Sequence, residues 1–168
     1  MSNFFFIERK SNKINSPLIV LIHGYGSNER DLFSLIDYFP IDSYVISLRA
    51  PKELFNDSYA WYDIYLDSNN KFYDHDAAAR VRDELFHFID DLSKSPNIDS
   101  NNITLIGFSQ GAILSHAISF SYPEKIKNII ALSGVVDEKI MKKTSLIPKT
   151  NIYISHGTND NLIDYETC

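Results

Sequence analysis

A mostly parallel, doubly wound α/β sheet with helices on both faces is the fold class this sequence predicts, on three observations. Short apolar runs rich in β-branched residues alternate with helix-length segments of three-and-four spacing, the pattern of successive βα units. One run, Leu18-Ile19-Val20-Leu21-Ile22, is apolar at every position, as a strand covered on both faces must be. Another, Ile103-Thr104-Leu105-Ile106, leads into Gly107-Phe108-Ser109-Gln110-Gly111 and then into an apolar helical segment. That pentapeptide is G-x-S-x-G between a strand and a helix, the setting of a sharp elbow that lifts a serine hydroxyl clear of the sheet. A side chain at either glycine would crowd so tight a turn.

Each element has its own local reason. Residues 4–8 form the first expected strand, closed by the polar stretch 10–16. Pro17 precedes the buried strand 18–22, which ends in His23-Gly24-Tyr25-Gly26-Ser27-Asn28. Ser27 or Asn28 can cap a helix with Leu32, Leu35, Ile36 and Phe39 on one face, and Pro40 stops it. Tyr44–Leu48 is the next strand, followed by an irregular piece, 49–74, rich in aromatics, Asn and Asp. Connections in compact domains have a median of about 4–6 residues, so one this long has a function or hidden structure. Asp74 or Asp76 begins a helix carrying Ala77, Val81, Leu85, Phe88 and Leu92 at helical spacing. Pro96 and a loop 97–102 end it. The elbow strand 103–107 comes next, then a helix 110–122 stopped by Pro123. A strand 126–132, a short helix 137–143 and a last strand Asn151–Ser155 complete the order. No repeat, low-complexity tract or linker divides the sequence, so residues 1–168 are expected to form one domain. Chemistry in such sheets collects beyond the carboxyl ends of the strands. His23-Gly24, Ser109 and Asp160 all follow such ends.

Composition bounds the function. The 168 residues are 44% hydrophobic and 23% charged, enough for one sizeable core and too few for two comfortable ones. Sixteen basic against 22 acidic residues give a net charge of -6 without a basic stripe, which argues against a nucleic-acid partner. The single cysteine, Cys168, is the last residue, so no disulfide framework is expected and a reducing, cytoplasmic setting is the default. The apolar stretch 4–7 is too short for a signal-peptide core, and no run approaches a membrane span. Tyr73-Asp74-His75-Asp76 has no companions at metal-ligand spacing, so a helix cap with solvated charges is its reading. Neither metal nor cofactor is expected. Nothing speaks to oligomeric state.

A serine hydroxyl is a weak nucleophile until a base takes its proton and a third group orients that base. The G-x-S-x-G elbow occurs where Ser, then Asp or Glu, then His follow one another along the chain. Ser109 fits the first step. Asp160, in His156-Gly157-Thr158-Asn159-Asp160, fits the second or is a solvated turn aspartate; spacing leaves both open. The second oxyanion donor of such sites comes from the loop where His23-Gly24-Tyr25-Gly26 lies. The backbone N–H groups of Tyr25 and Gln110 are the candidate donors, and glycines for close packing are the alternative. Trp61 and Tyr62 either line an acyl pocket as substrate-binding residues or cover the sheet. His23 reads as structural.

Four segments are more specific than G-x-S-x-G alone. They are Leu21-Ile22-His23-Gly24-Tyr25-Gly26; Arg49-Ala50-Pro51 with Trp61-Tyr62-Asp63; Gly107-Phe108-Ser109-Gln110-Gly111-Ala112; and His156-Gly157-Thr158-Asn159-Asp160. In order and spacing they cover nearly the whole chain. With them the sequence resembles the phospholipase/carboxylesterase family of α/β-hydrolases, the group that includes the acyl-protein thioesterases. The resemblance implies cleavage of carboxylic esters, with thioesters or lysophospholipids as alternatives, without a cofactor and on a small-molecule substrate. It implies Ser109 as nucleophile, Asp160 as triad acid, Tyr25 and Gln110 as oxyanion donors, and the Trp61 loop beside the acyl site.

Departures from the family pattern carry information too. Ser27 stands where many relatives have Asp, and Gly-Thr-Asn-Asp replaces the commoner Gly-Asp-x-Asp. In relatives the catalytic histidine lies in a Gly-His segment some tens of residues past the aspartate, whereas this sequence ends eight residues after Asp160. His156 matches a structural histidine of the family. His75 and His87 belong to a flanking helix, and His116 lies about two helical turns past the elbow. The expectation is a C-terminally incomplete hydrolase that lacks the final strand and helix, has its base beyond residue 168, and is nearly inactive in this form. The alternative is a non-catalytic α/β-hydrolase-like protein that binds a small molecule without the base.

Overall fold

The computed structural model describes residues 4–67, 70–160 and 163. Its elements in chain order are β1 (Phe6–Arg9), β2 (Ser16–Ile22), α1 (Arg30–Phe33), β3 (Tyr44–Leu48), β4 (Lys52–Phe55) and β5 (Ser58–Ala60). They continue with β6 (Ile64–Asp67), β7 (Asn70–Tyr73), α2 (His75–Ser93), β8 (Ile98–Phe108), α3 (Gln110–Ser121), β9 (Asn128–Leu132) and β10 (Asn151–Ser155). Six strands make the central sheet in the order β1-β3-β2-β8-β9-β10. All neighbours pair in parallel except β1, which runs antiparallel to β3 at one edge.

The all-apolar run places β2 inside this sheet. Leu18, Val20, Leu21 and Ile22 are fully enclosed. Alternate residues feed two cores: Leu18, Val20 and Ile22 meet the side covered by α2 and α3, while Ile19 and Leu21 meet Leu32 of α1, Val45 and Ile106. Helices therefore lie on both faces, as expected. Asp74 caps α2, accepting from the N–H groups of Asp76 (2.9 Å) and Ala77 (3.0 Å). Among the described residues no helix is long and apolar enough to cross a membrane.

The structure departs from expectation where polar side chains redirect the backbone. The helix after Asn28 is one turn, α1, followed by a 3₁₀ turn at Ile36–Tyr38. The Ser34 hydroxyl donates to Asp31 O (2.6 Å), and the Ser34 N–H is shared between Arg30 O and Asp31 O, which tightens the turn and stops propagation. The segment 49–74 contains two hairpins, β4–β5 and β6–β7. Asn56 and Asp57 both have positive φ (41° and 63°), the conformation that two-residue hairpin turns require. The strand β8 begins at Ile98 rather than after 102, with a register irregularity against β2. Residues 138–140 form only a 3₁₀ turn. β1 and β9 also start two residues later than expected. Strand β10 is exposed along its length, with Tyr153 at 61%.

Helix α3 is buried almost all round, as a helix apolar on every face must be. His116 lies in it, and neither ring nitrogen has a hydrogen-bond partner among the described residues. Burial pushes its pKa below the ordinary 6.5. The unfolded chain therefore takes up the proton first. Stability from this group is complete above pH 6.5 and is lost as pH falls toward the lowered value. His116→Leu is expected to stabilise the fold by about 1 kcal/mol at neutral pH by removing unpaired buried polar atoms. It should also shrink the drop in urea midpoint between about pH 7.5 and pH 5.5. His23, whose pKa burial also lowers, keeps its own share in both proteins. Equal drops in the two proteins would refute the assignment.

Candidate active site

The elbow is built by close approach. Ser109 has φ 51° and ψ −113°, a conformation open to few side chains. Its N–H donates to Leu132 O of β9 (2.8 Å), and its carbonyl accepts from Ala112 N (2.9 Å) and Ile113 N (3.1 Å). A Cβ on Gly107 would lie 2.3 Å from Gly111 O, and one on Gly111 would lie 1.9 Å from Ile22 O. Both glycines of the motif are thus needed for contact, with Gly111 seating α3 on the end of β2.

The loop after β2 runs beside the elbow. A Cβ on Gly24 would stand 2.9 Å from the Phe108 ring and 3.4 Å from Phe108 O. Among the described residues neither the Tyr25 N–H nor the Gln110 N–H has an acceptor. The Gln110 N–H also belongs to the first turn of α3, where the helix dipole favours negative charge.

Several contacts fix this loop. His23 is fully buried; its Nε2 accepts from Ala50 N (3.1 Å), so Nδ1 carries the hydrogen and donates to Gly24 O (2.7 Å). Burial favours the neutral ring by pushing its pKa down. Gly26 N donates to Tyr59 O and Tyr59 N to Ser27 O, both at 2.8 Å, which docks the β4–β5 hairpin against the loop. Arg49 binds the buried Glu29 through Nε (2.6 Å) and a terminal nitrogen (2.7 Å), and that pairing holds the Glu29 carboxyl below its usual range. The rings of Phe5 and Tyr59 stack on the same guanidinium. Ser27 donates its hydroxyl to Asp31 (2.7 Å).

The sequence motif assigns Gln110 a backbone role only and says nothing of its side chain. The amide oxygen accepts from Trp61 N (3.0 Å) and the amide nitrogen donates to Tyr62 O (2.8 Å), in a wholly buried setting. An amide is the side chain that can offer both polarities at once. Gln110→Leu leaves a buried N–H and a buried carbonyl unpaired, at about 1–3 kcal/mol each. A loss of roughly 2–6 kcal/mol in urea unfolding is expected, and a loss under ~0.5 kcal/mol would contradict this role.

Trp61 lies beneath the loop, where its Nε1–H donates to His23 O (2.8 Å); it does not line the pocket beside Ser109. Tyr62 does. That pocket has a volume of about 150 Å³ and is lined by Tyr62, Ile64, Tyr73, Ser109, Gln110, Ile113, Val135 and Ile163. Ile64 and Tyr73 fall within the stretch that the sequence marks only as irregular. The signal that could find them is two short apolar stretches, Ile64-Tyr65-Leu66 and Phe72-Tyr73, on either side of a polar tract of turn-forming residues, 67–71.

Asp160 follows β10. One carboxylate oxygen accepts from Ile163 N (3.0 Å), and the other lies 3.3 Å from His156 Nε2. His156 Nε2 also lies 2.9 Å from Ile163 O. Strands β8, β9 and β10 are in register at Phe108, Leu132 and Ser155. The strand ends preceding Ser109 and Asp160 are therefore two strand spacings, about 10 Å, apart. The other imidazoles are engaged or enclosed elsewhere: His75 beside Asp137 (3.7 Å), His87 against Phe86 and Tyr122, His23 in the loop, and His116 in α3. Among the described residues none hydrogen-bonds Ser109. Nor does any group of three or more His, Cys, Asp and Glu there form a site for a metal ion.

Against known proteins, the model of the phospholipase/carboxylesterase family matches residues 2–168. The chain is 35% identical over 107 residues to acyl-protein thioesterase 1 of Schizosaccharomyces pombe, covering 62% of this chain and 47% of that protein. It spans about half the length of the first curated relatives it matches. The crystal structure of the Bacillus cereus carboxylesterase superposes with a TM-score of 0.80 at 25% identity, covering 98% of this chain and 75% of that one. The structure of esterase PE8 gives a TM-score of 0.80 at 26% identity, covering 99% and 80%.

Proposed function

The chain belongs to the phospholipase/carboxylesterase family of α/β-hydrolases, and we propose that it is part of a serine hydrolase that cleaves carboxylic esters or thioesters through an acyl-enzyme on Ser109. One observation carries the reading. Ser109 is held in a strained conformation at the mouth of an apolar pocket, next to an N–H at a helix start and near a loop N–H, neither engaged among the described residues.

In this mechanism the Ser109 hydroxyl attacks the acyl carbon and passes its proton to a base. The carbonyl oxygen becomes an oxyanion held by the N–H groups of Tyr25 and Gln110. Losing one such donor typically costs ~10²–10³ in rate. The base returns the proton to the departing alcohol or thiol, and water then repeats the sequence on the acyl-enzyme. Asp160 orients the base across the gap between the ends of β8 and β10. The scheme needs a histidine base that reaches both Asp160 and Ser109, and among the described residues no histidine hydrogen-bonds Ser109. Neither a metal nor a cofactor has a part in this scheme.

Fluorophosphonate labelling of the full natural chain, with the site located by peptide mass, tests the reading. A single adduct on Ser109 is expected. No labelling would overturn the reading. Thermal stabilisation by an ester that is not turned over would instead favour a binding protein without the base.

A further inference from the structure

The pocket beside Ser109 is small. Its volume is about 150 Å³, and its wall includes Tyr62, Ile64, Tyr73, Ile113 and Val135. An apolar protein cavity of about this volume takes up one benzene ring. Ile64 and Tyr73 are directly opposed in the β6–β7 register, so both project from one face of the hairpin. The Tyr73 ring packs against Tyr62, with centroids 4.8 Å apart, and against His75 at 4.7 Å. Its hydroxyl donates to Asp137. Held on three sides, Tyr73 is a fixed wall and not a rotamer free to swing away from a longer chain.

We propose that Ile64 and Tyr73 set the acyl length of the substrate, so that the site takes linear or aromatic acyl groups with up to about six carbons beyond the carbonyl and gains nothing from longer ones. This deepens the reading of Ser109 as nucleophile and rests on it. Alkylboronic acids test it without turnover. Boron accepts an electron pair from the Ser109 oxygen, whose proton passes to solvent, and the alkyl chain then occupies the place of the acyl group.

Dissociation constants from thermal shifts are expected to fall about fourfold per added methylene from ethyl to hexyl, the gain for burying one such group. They should then level off through decyl. In Tyr73→Ala, and in the milder Ile64→Ala, the fall should continue past hexyl, whereas Tyr73→Phe keeps the ring and should keep the break. A fall that continues to decyl in the parent protein overturns the proposal. So does a break at the same length in both alanine variants. Absence of binding by every boronic acid, together with no fluorophosphonate labelling, removes the Ser109 reading and this one with it.

Discussion

Gly111→Ala is expected to yield no folded protein. A Cβ at this position would stand 1.9 Å from Ile22 O and 2.6 Å from Ile22 C, with His23 O at 2.9 Å. These are backbone atoms of the central strand and the residue after it, so no change of rotamer relieves the overlap. Helix α3 would have to lift from β2, opening the most enclosed part of the core and pulling Ser109 from its strand end. The penalty is on the order of the whole stability of a domain, ~5–15 kcal/mol. Soluble yield and a dispersed amide NMR spectrum are the readouts. Gly157 is the control, since nothing among the described residues lies within 4 Å of its added Cβ. Gly157→Ala should match the parent within ~0.5 kcal/mol. A folded Gly111→Ala of parental stability would contradict the close approach of α3 and β2.

The same glycine shows why the elbow is legible in the sequence. A five-residue motif carries its own geometry, and the flanking runs are long enough to declare a strand and a helix. The apolar run 18–22 is legible for a related reason: burial on both faces leaves no polar position to blur the pattern. The one-turn α1 is not legible, because hydrophobic spacing records which face is buried and not whether a serine hydroxyl competes for a backbone carbonyl. Neither are the hairpins of 49–74. The strands of the first are three or four residues long, too short for periodicity, and its Asn56-Asp57 turn lacks the glycine that usually marks one. The pocket wall is hidden for the same reason, since Ile64 and Tyr73 meet only through the pairing of two four-residue strands. The Gln110 side chain shows a further limit. Its partners, Trp61 and Tyr62, lie 49 and 48 residues away, and no local pattern encodes such a contact.

Ser109→Gly should be more stable than the parent and catalytically dead, while Ser109→Ala should be equally dead with stability unchanged. The difference isolates the backbone. At φ 51° and ψ −113°, a residue bearing a Cβ carries strain of roughly 1–3 kcal/mol. The parental serine and the alanine variant share it. Glycine relieves it, offset by about 0.5–1 kcal/mol for its freer unfolded chain. A net gain of about 1 kcal/mol in urea unfolding is therefore expected for Ser109→Gly alone. Both variants lose the hydroxyl, so both should resist fluorophosphonate and lose ester hydrolysis by on the order of 10⁴-fold or more in the full chain. Stability and activity would then move in opposite directions at one residue. A packing fault would lower both or neither, whereas strain kept for function separates them. If Ser109→Gly gains nothing, the strain argument fails and the nucleophile stands. If Ser109→Ala still labels, the nucleophile lies elsewhere, and the elbow is only a tight turn between β8 and α3.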